Sequence, residues 1–427
     1  MWVRFTNRID RPTTIHWHGI RLDNRFDGVP FVTQDPVPPD GSFTYEVRFP
    51  DPGLYWYHPH HREDVTQDLG LYGNILVRSD GGYGPADREE LLLLDDLLLD
   101  AEGLFPWGEA TATHALMGRF GNVFLVNGEP GYRLRVGPGT LVRFLLTDVS
   151  STRTFNLSFG APTKVVAGDL GPFEREELVE SVVIGPAERY VVDVLYEEPG
   201  AYPVLNRVRG VDMVLGAYLA ETDTLGLVEV TQDLAPGRHG GAFEQLREPA
   251  AAVAEMARFR GLADRPVDHE LVLSVEAREL PFPLGILLRL ERAFFNPVEW
   301  SGAMAAMNWA TTARRVRWVL RDPATGAENM DIDWRFRVGD VVRIRITNDR
   351  EAFHAMQHPI HLHGQRFLVV ARNGVPSENL VWKDTLIVPA GQTADLLVEM
   401  SNPGRWMLHC HVAEHLEAGM KAVITVE

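Results

Sequence analysis

The sequence predicts an all-β protein built from three copies of one Greek-key sandwich or barrel. The first observation behind this is a recurring strand. Val3-Arg4-Phe5-Thr6-Asn7 returns as Val142-Arg143-Phe144-Leu145-Leu146-Thr147-Asp148 and again as Val342-Arg343-Ile344-Arg345-Ile346-Thr347-Asn348. The second is a recurring turn: Asp51-Pro52-Gly53, Pro199-Gly200 and Asn402-Pro403-Gly404 each open an apolar or aromatic run. The third is spacing. Thr6 to His16 and Thr147 to Leu157 are both ten residues, and Gly53 to His58 and Gly404 to His409 are both five. Landmarks that recur at fixed offsets mark a repeated structural unit.

Taken in order, residues 1–80 form the first unit. The strands that precede Val142, Phe124 to Gly128 and Leu134 to Val136, have no counterpart before Val3. The first unit is therefore expected to lack its N-terminal strands and to carry an unpaired edge. Residues 81–230 form the second unit. Its Leu91 to Leu99 run is broken by Asp95 and Asp96 and reads as one or two buried strands, too short to span a bilayer. Residues 231–268 are a linker with a short helix. Pro249 opens the helix, Ala250, Val253, Ala254 and Ala257 share a face for packing against the body, and Gly261 stops it. Residues 269–427 form the third unit.

The 427 residues carry a net charge of −18 and a pI near 5.3, which argues against nucleic-acid or anionic-membrane binding. One cysteine excludes an internal disulfide. Met1-Trp2-Val3 begins as a strand, so no signal peptide is readable. Nothing in the sequence specifies an oligomeric state.

The chemistry sits in the histidines. Four His-x-His pairs occur: His16 and His18, His58 and His60, His361 and His363, His409 and His411. Copies one and three carry them. Copy two has Leu157 and Phe159, then Leu205 and Arg207, in those places. A metal centre shared between the first and third units is expected, with the middle unit as a spacer. The lone Cys410 lies between His409 and His411, with His415 and Met420 following and His358 upstream. Two imidazoles, a thiolate and a weak thioether are the ligand set of a blue-copper electron-transfer site. In a strand, neighbours face opposite ways, so Cys410 would face one centre while His409 and His411 face another.

Through these motifs the chain resembles the multicopper oxidases, the family of laccases and bacterial copper-tolerance oxidases. The resemblance implies three cupredoxin-like domains and four copper ions per chain: one type 1, one type 2 and two type 3. It assigns His358, Cys410 and His415 to the type 1 ion, with Met420 axial. His16 and His361 go to type 2. His18, His58 and His411 go to one type 3 ion, and His60, His363 and His409 to the other. It implies that a phenolic or aromatic reductant gives up single electrons near His415, which pass through Cys410, while O2 is reduced to water at the three-copper cluster. Asp27 resembles the acid beside that cluster, although a turn Asp before Gly28 would look the same. Glu417, one place beyond the position after His415, is a weaker proton candidate. An axial Met420 implies a low-to-middle potential. Export to the periplasm, the medium or the cell surface is also implied.

Other readings stay open. A metallo-oxidase for Cu(I), Mn(II) or Fe(II) would use the same relay. A copper carrier or a scaffold would need no catalysis, though a scaffold should have lost ligands. A copper nitrite reductase lacks the binuclear pair and fits eight paired histidines poorly. Of the spare histidines, His114, His239 and His269 are expected at the surface or in loops. His61 is expected merely to neighbour the cluster. His354 and Met356 are candidates for the mouth of the blue site. Met304 and Met307, near Trp309, read as core filling rather than a cuprous-ion site.

Overall fold

The computed structural model describes residues 1–78, 82–212, 217–280, 296–302, 308 and 311–427. The chain first forms β1 (Trp2–Thr6), β2 (Ile15–His18), β3 (Ser42–Glu46), β4 (Gly53–Pro59), the one-turn α1 (Glu63–Thr66) and β5 (Gly73–Val77). Here β1 pairs with β3, and β2, β4 and β5 make a three-stranded sheet.

Next come β6 (Arg88–Leu97), β7 (Leu99–Asp100), β8 (Gly103–Leu104), β9 (Val123–Val126), β10 (Tyr132–Val136), β11 (Thr140–Asp148), β12 (Phe155–Ser158) and β13 (Thr163–Gly168). They are followed by β14 (Gly171–Val179), β15 (Val182–Ile184), β16 (Arg189–Tyr196), β17 (Gly200–Asp212) and β18 (Ala217–Val230). One sheet runs β14-β13-β16-β11-β6-β9 and the other β10-β18-β17-β12-β15. Phe144, Leu146, Phe155, Leu157, Val192 and Val228 are buried in one apolar cluster of this sandwich. The Leu-rich run became β6, parallel to β11, with Leu92 and Leu94 buried. Its two buried acids are paired: the Tyr72 hydroxyl donates to Asp95, and Arg153 meets Asp96 at 2.6 Å.

Beyond α2 (Ala250–Arg260), the chain adds β19 (His269–Ala277), β20 (Val316–Arg321), β21 (Arg335–Phe336), β22 (Val341–Asn348), β23 (His358–Leu362) and β24 (Arg366–Arg372). It closes with β25 (Val375–Pro376), β26 (Trp382–Lys383), β27 (Thr385–Val388), β28 (Thr393–Glu399), β29 (Gly404–Cys410), α3 (Ala413–Glu417) and β30 (Lys421–Val426). Its sheets run β20-β19-β22-β28-β24-β25, with β26 beside β24, and β21-β30-β29-β23-β27.

The repeat is visible in the pairing. The recurring motif lies on β1, β11 and β22. The strand after the recurring turn pairs antiparallel with the strand that carries the first landmark: His16 faces His58, Leu157 faces Asn206, and His361 faces His409. In the middle unit, Asn206 rather than Leu205 or Arg207 is the facing residue. Asn206 lies six residues after Gly200, whereas His58 and His409 lie five after Gly53 and Gly404, and a one-residue slip exchanges the faces. The helix α2 stands where Pro249 and Gly261 placed it, on a different face. Ala252, Met256 and Phe259 are buried and Val253 is exposed, because the two largest apolar side chains take the contact with Trp382 and its neighbours.

Candidate metal centre

Strand β29 delivers Cys410 into the apolar core that holds Trp318, Trp406 and Met420. The chain then turns into α3, and the single helical turn brings His415 back beside the thiol. Cys410 Sγ lies 3.4 Å from His358 Nδ1 and 3.7 Å from His415 Nδ1. The Val412 N–H donates to the same sulfur at 3.4 Å. Met420 is tied to both residues: its carbonyl accepts from Cys410 N at 3.1 Å, and its N–H donates to His415 O at 3.0 Å. Trp318 packs its ring 4.0 Å from that of His415. Burial pushes the Cys410 thiol up and holds His358 down at about 3. A thiolate in this apolar setting needs a cation beside it, and the donor set is that of a blue-copper site.

On the opposite face of β29 the eight paired histidines converge. His16 and His18 come from β2, His58 and His60 from the end of β4, His361 and His363 from the end of β23, and His409 and His411 from the end of β29. All are buried. Their nitrogens gather in threes within 4.8 Å: His18, His58 and His411; His60, His363 and His409; and His16, His18 and His361. The closest approaches are His363 Nε2 to His409 Nε2 at 3.0 Å and to His60 Nε2 at 3.3 Å. His16 Nε2, His18 Nδ1, His58 Nε2, His361 Nε2 and both nitrogens of His411 are buried with no hydrogen-bond partner. Buried polar atoms are ordinarily paired, so lone pairs aimed at one another in a dry volume fit metal ions between them. Burial first, then mutual repulsion, lowers the imidazoles of His18, His58, His60, His361, His363, His409 and His411. His60 and His409 fall to about 3, and His18, His58, His361, His363 and His411 fall well below the usual histidine range.

The outer nitrogen of most rings is held. His16 Nδ1 donates to Asp27 O (2.8 Å), His58 Nδ1 to Pro59 O (2.8 Å), His409 Nδ1 to Cys410 O (2.8 Å) and His361 Nδ1 to Asp384 O (2.9 Å). Carboxylates hold two more: His363 Nδ1 meets Asp27 Oδ2 at 2.9 Å, and His18 Nε2 meets Asp384 Oδ1 at 3.1 Å. Such partners fix ring orientation and tautomer. Glu63 Oε1 lies 2.9 Å from His60 Nδ1 without hydrogen-bond alignment. Asp27 is thus both turn residue and neighbour of the cluster. It ends a short 3-10 turn before Gly28, which sits at φ +83°.

Sequence reasoning missed Glu63, Asp384 and Glu414. Glu63 lies three residues past His60, and burial pushes it up to about 7. Glu414, one residue before His415, is buried, raised well above its ordinary value, and accepts from Thr152 Oγ1 at 3.2 Å. Glu417 sits half-buried on α3 and is pushed up to about 7 by burial. The glycine after the first and third pairs was an unread signal. Gly19 at φ +83° and Gly364 at φ +61° stand where a Cβ would overlap Asp384 and Trp406 respectively.

His114 is not at the surface. It is buried, and Asn308 Nδ2 donates to its Nδ1 at 3.3 Å. His354 and Met356 are also buried, so they pack beside the blue site rather than line a mouth. His269 is half-buried on β19 with its ring 4.6 Å from Trp334, while His239 is exposed. His61 is partly exposed, its Nδ1 3.1 Å from Pro12 O. Met304, Met307 and Trp309 lie outside the described residues. No described helix is long and apolar enough to cross a membrane.

Comparison with known proteins agrees with this geometry. Two multicopper oxidase family models match, one at residues 1–82 and the other at residues 298–427. The chain is 26% identical to the multicopper oxidase MmcO of Mycobacterium tuberculosis, over 98% of this chain and 77% of that protein. It is 26% identical to a laccase of Arthroderma benhamiae, over 98% of this chain and 71% of that protein. The crystal structure of a multicopper oxidase from Pseudomonas thermotolerans superposes with a TM-score of 0.68 at 26% identity, over 100% of this chain and 89% of that one. The two stretches matched by the family models carry every histidine of the converging cluster together with Cys410, and the chain belongs to the multicopper oxidase family.

Proposed function

We propose that the protein is a laccase-like oxidase, coupling one-electron oxidation of phenolic or aromatic donors to four-electron reduction of O2 to water. The observation that carries this reading is the two-faced strand end. Cys410 points at His358 and His415, while His409 and His411, one residue away on either side, point into the eight-histidine cluster. A donor site and an acceptor site are then joined by covalent bonds.

In this reading His358, Cys410, His415 and Met420 hold a type 1 copper, and His16 and His361 hold a type 2 copper. His18, His58 and His411 hold one type 3 ion, and His60, His363 and His409 hold the other. When bound, these ions supply one-electron acceptance at the thiolate and multi-electron chemistry at the cluster. The chain's own residues do the rest. Electrons leave the Cys410 side chain through its backbone toward His409 and His411. Asp27, against His363, holds and passes protons needed as water forms. Residues 1–80 and 269–427 carry the ligands, residues 81–230 carry none, and 231–268 link the two parts. Export from the cell is part of the same proposal.

The test is copper content, an optical spectrum and O2 uptake with a phenolic donor, run beside Fe(II) and Cu(I) as donors. Close to four copper ions, an intense red absorption from the Cys410 thiolate and phenol-driven O2 uptake are expected. Uptake with the metal ions alone would replace the laccase reading by a metallo-oxidase. A blue protein that consumes no O2 would reduce it to a carrier.

A further inference from the structure

We propose that Asp384, clamped by Arg189 of the ligand-free middle unit, is a positioning residue for the cluster and the counterpart of Asp27 across the junction of the first and third units. This rests on the copper-oxidase reading above. Asp27 holds two histidines in two ways. Its backbone carbonyl takes His16 Nδ1–H of its own unit, and its carboxylate takes His363 Nδ1–H of the other. Asp384 repeats the arrangement with the units exchanged. Its carbonyl takes His361 Nδ1–H of its own unit, and its carboxylate takes His18 Nε2–H of the other. The rings pair accordingly, His16 with His363 at 3.9 Å and His18 with His361 at 3.7 Å.

The consequence for His18 is specific. His16, His58, His361, His363 and His409 are each held at Nδ1 by a hydrogen bond. His18 alone is held at Nε2, which leaves Nδ1 facing the cluster without a partner. Thr385 reinforces the choice. Its hydroxyl donates to Asp384 Oδ1 at 2.8 Å, so its lone pair, 3.0 Å from His18 Nε2, is a second acceptor for the same N–H. Two acceptors at one nitrogen set the tautomer and stop the ring from turning its other nitrogen inward.

Arg189 holds Asp384 in place. Its guanidinium is fully buried and forks onto both carboxylate oxygens, with Nη1 to Oδ1 at 2.7 Å and Nη2 to Oδ2. Its remaining donors reach Leu54 O in β4 (2.8 Å) and Ala187 O (2.9 Å), so one side chain bonds all three units. Room for the pair is left by Gly19, directly after His18, where any Cβ would overlap the Asp384 carboxylate. Among the described residues no cation clamps Asp27. Of the two carboxylates, Asp27 keeps the freedom a proton carrier needs, and Asp384 is committed to orientation. The middle unit, although it holds no copper ligand, reaches the cluster through Arg189.

The test compares copper-loaded wild type, Asp384→Asn and the charge-neutral double variant Arg189→Gln/Asp384→Asn. Readouts are copper retained after dialysis, the red thiolate absorption, the near-ultraviolet absorption of the coupled pair, and thermal unfolding of the metal-free protein. Asp384→Asn should keep the red absorption and hold cluster copper about 10–100-fold more weakly. In Asp384→Asn the Arg189 guanidinium keeps only Asp169, at 3.7 Å, as a carboxylate partner; the double variant removes both members of the bidentate pair and leaves Asp169 with Lys383 at 3.3 Å, so it should recover metal-free stability while cluster copper stays weakly held. Copper retention that returns together with stability would show that the pair is only structural, and overturn the proposal. So would wild-type copper retention in Asp384→Asn. Wild type that takes up no cluster copper would overturn the oxidase reading itself, and this inference with it.

Discussion

Stripped of copper, the protein should lose the stability contributed by its buried neutral histidines as the pH falls below 6.5. The perturbation acts on histidines that are buried in the neutral form. His60, His358 and His409 are lowered to about 3 in the folded chain, first by burial and then by neighbouring imidazoles. Their folded pKa values lie below the unfolded value of 6.5, so the unfolded chain takes up protons first. Their contribution is therefore whole above pH 6.5 and is lost progressively between 6.5 and 3. At pH 5 each of the three favours the unfolded chain by about 2 kcal/mol, roughly 6 kcal/mol together. The other lowered histidines of the cluster act in the same direction. The buried carboxylates act oppositely: Glu63 and Glu417, raised to about 7 by burial, take up protons first in the folded chain, and Glu63 alone returns about 2–3 kcal/mol at pH 5. A domain's whole stability is about 5–15 kcal/mol, so each of these opposing contributions is large. If the chain unfolds as one body, the three alone correspond to a fall of the order of 7 °C in Tm. The assay is a series of melts of metal-free protein between about pH 7.5 and 5, beside copper-loaded protein, whose ligands are kept unprotonated by the metal until it dissociates. The same protein is followed by histidine NMR, and imidazoles of the folded metal-free chain that titrate near pH 6.5 would refute the reasoning, because they would mean that the imidazoles reach water.

Four further outcomes are expected. Cys410→Ser should abolish the red absorption and donor oxidation while cluster copper stays bound; a surviving red band would remove Cys410 from the site. Asp27→Asn should slow O2 uptake by about 100-fold or more with the red band unchanged, and an unaltered rate would confine Asp27 to its turn. Met420→Leu should raise the potential of the blue site, since an axial thioether lowers it; an unchanged or lower potential would contradict axial ligation. Gly19→Ala should lower stability by about 2–4 kcal/mol, combining the left-handed backbone at φ +83° with overlap onto Asp384, which a urea midpoint equal to that of wild type would disprove.

What was legible in the sequence was local. The alternating strands and the turns repeat within a few residues, so β1, β11 and β22 could be matched by eye. The His-x-His pairs and the lone cysteine are short motifs whose chemistry follows from residue type, and the chain does bring Cys410 beside His358 and His415. What was not legible depends on packing between distant segments. His18 and Asp384 are 366 residues apart, and no spacing rule connects them. Arg189 belongs to the unit that has no ligands, so a spacer reading overlooked it. Glu63 is close to His60 in sequence, but within Arg62-Glu63-Asp64 it looks like a solvated charge. The helix α2 was placed by its Pro and Gly, yet its buried face was decided by Phe259 and Met256 meeting Trp382, a tertiary contact. His114 is buried because Asn308 caps it from far along the chain.

The two candidate centres depend on the fold in different ways. His358, Cys410, His415 and Met420 all lie on β23, on β29 or in the segment that follows, within one apolar core. That centre needs the last sheets and the segment Ala115 to Phe120 of the middle unit that packs into the same core. The histidine cluster exists only where β2 and β4 meet β23 and β29, and where Arg189 closes the junction from the middle unit. Its metal affinity is therefore tied to how the units dock. A change that loosens the junction should empty the cluster while the blue site and the overall fold persist. A blue protein without O2 uptake is the expected form of such damage, and the ratio of the red absorption to total copper measures how well the three units are assembled.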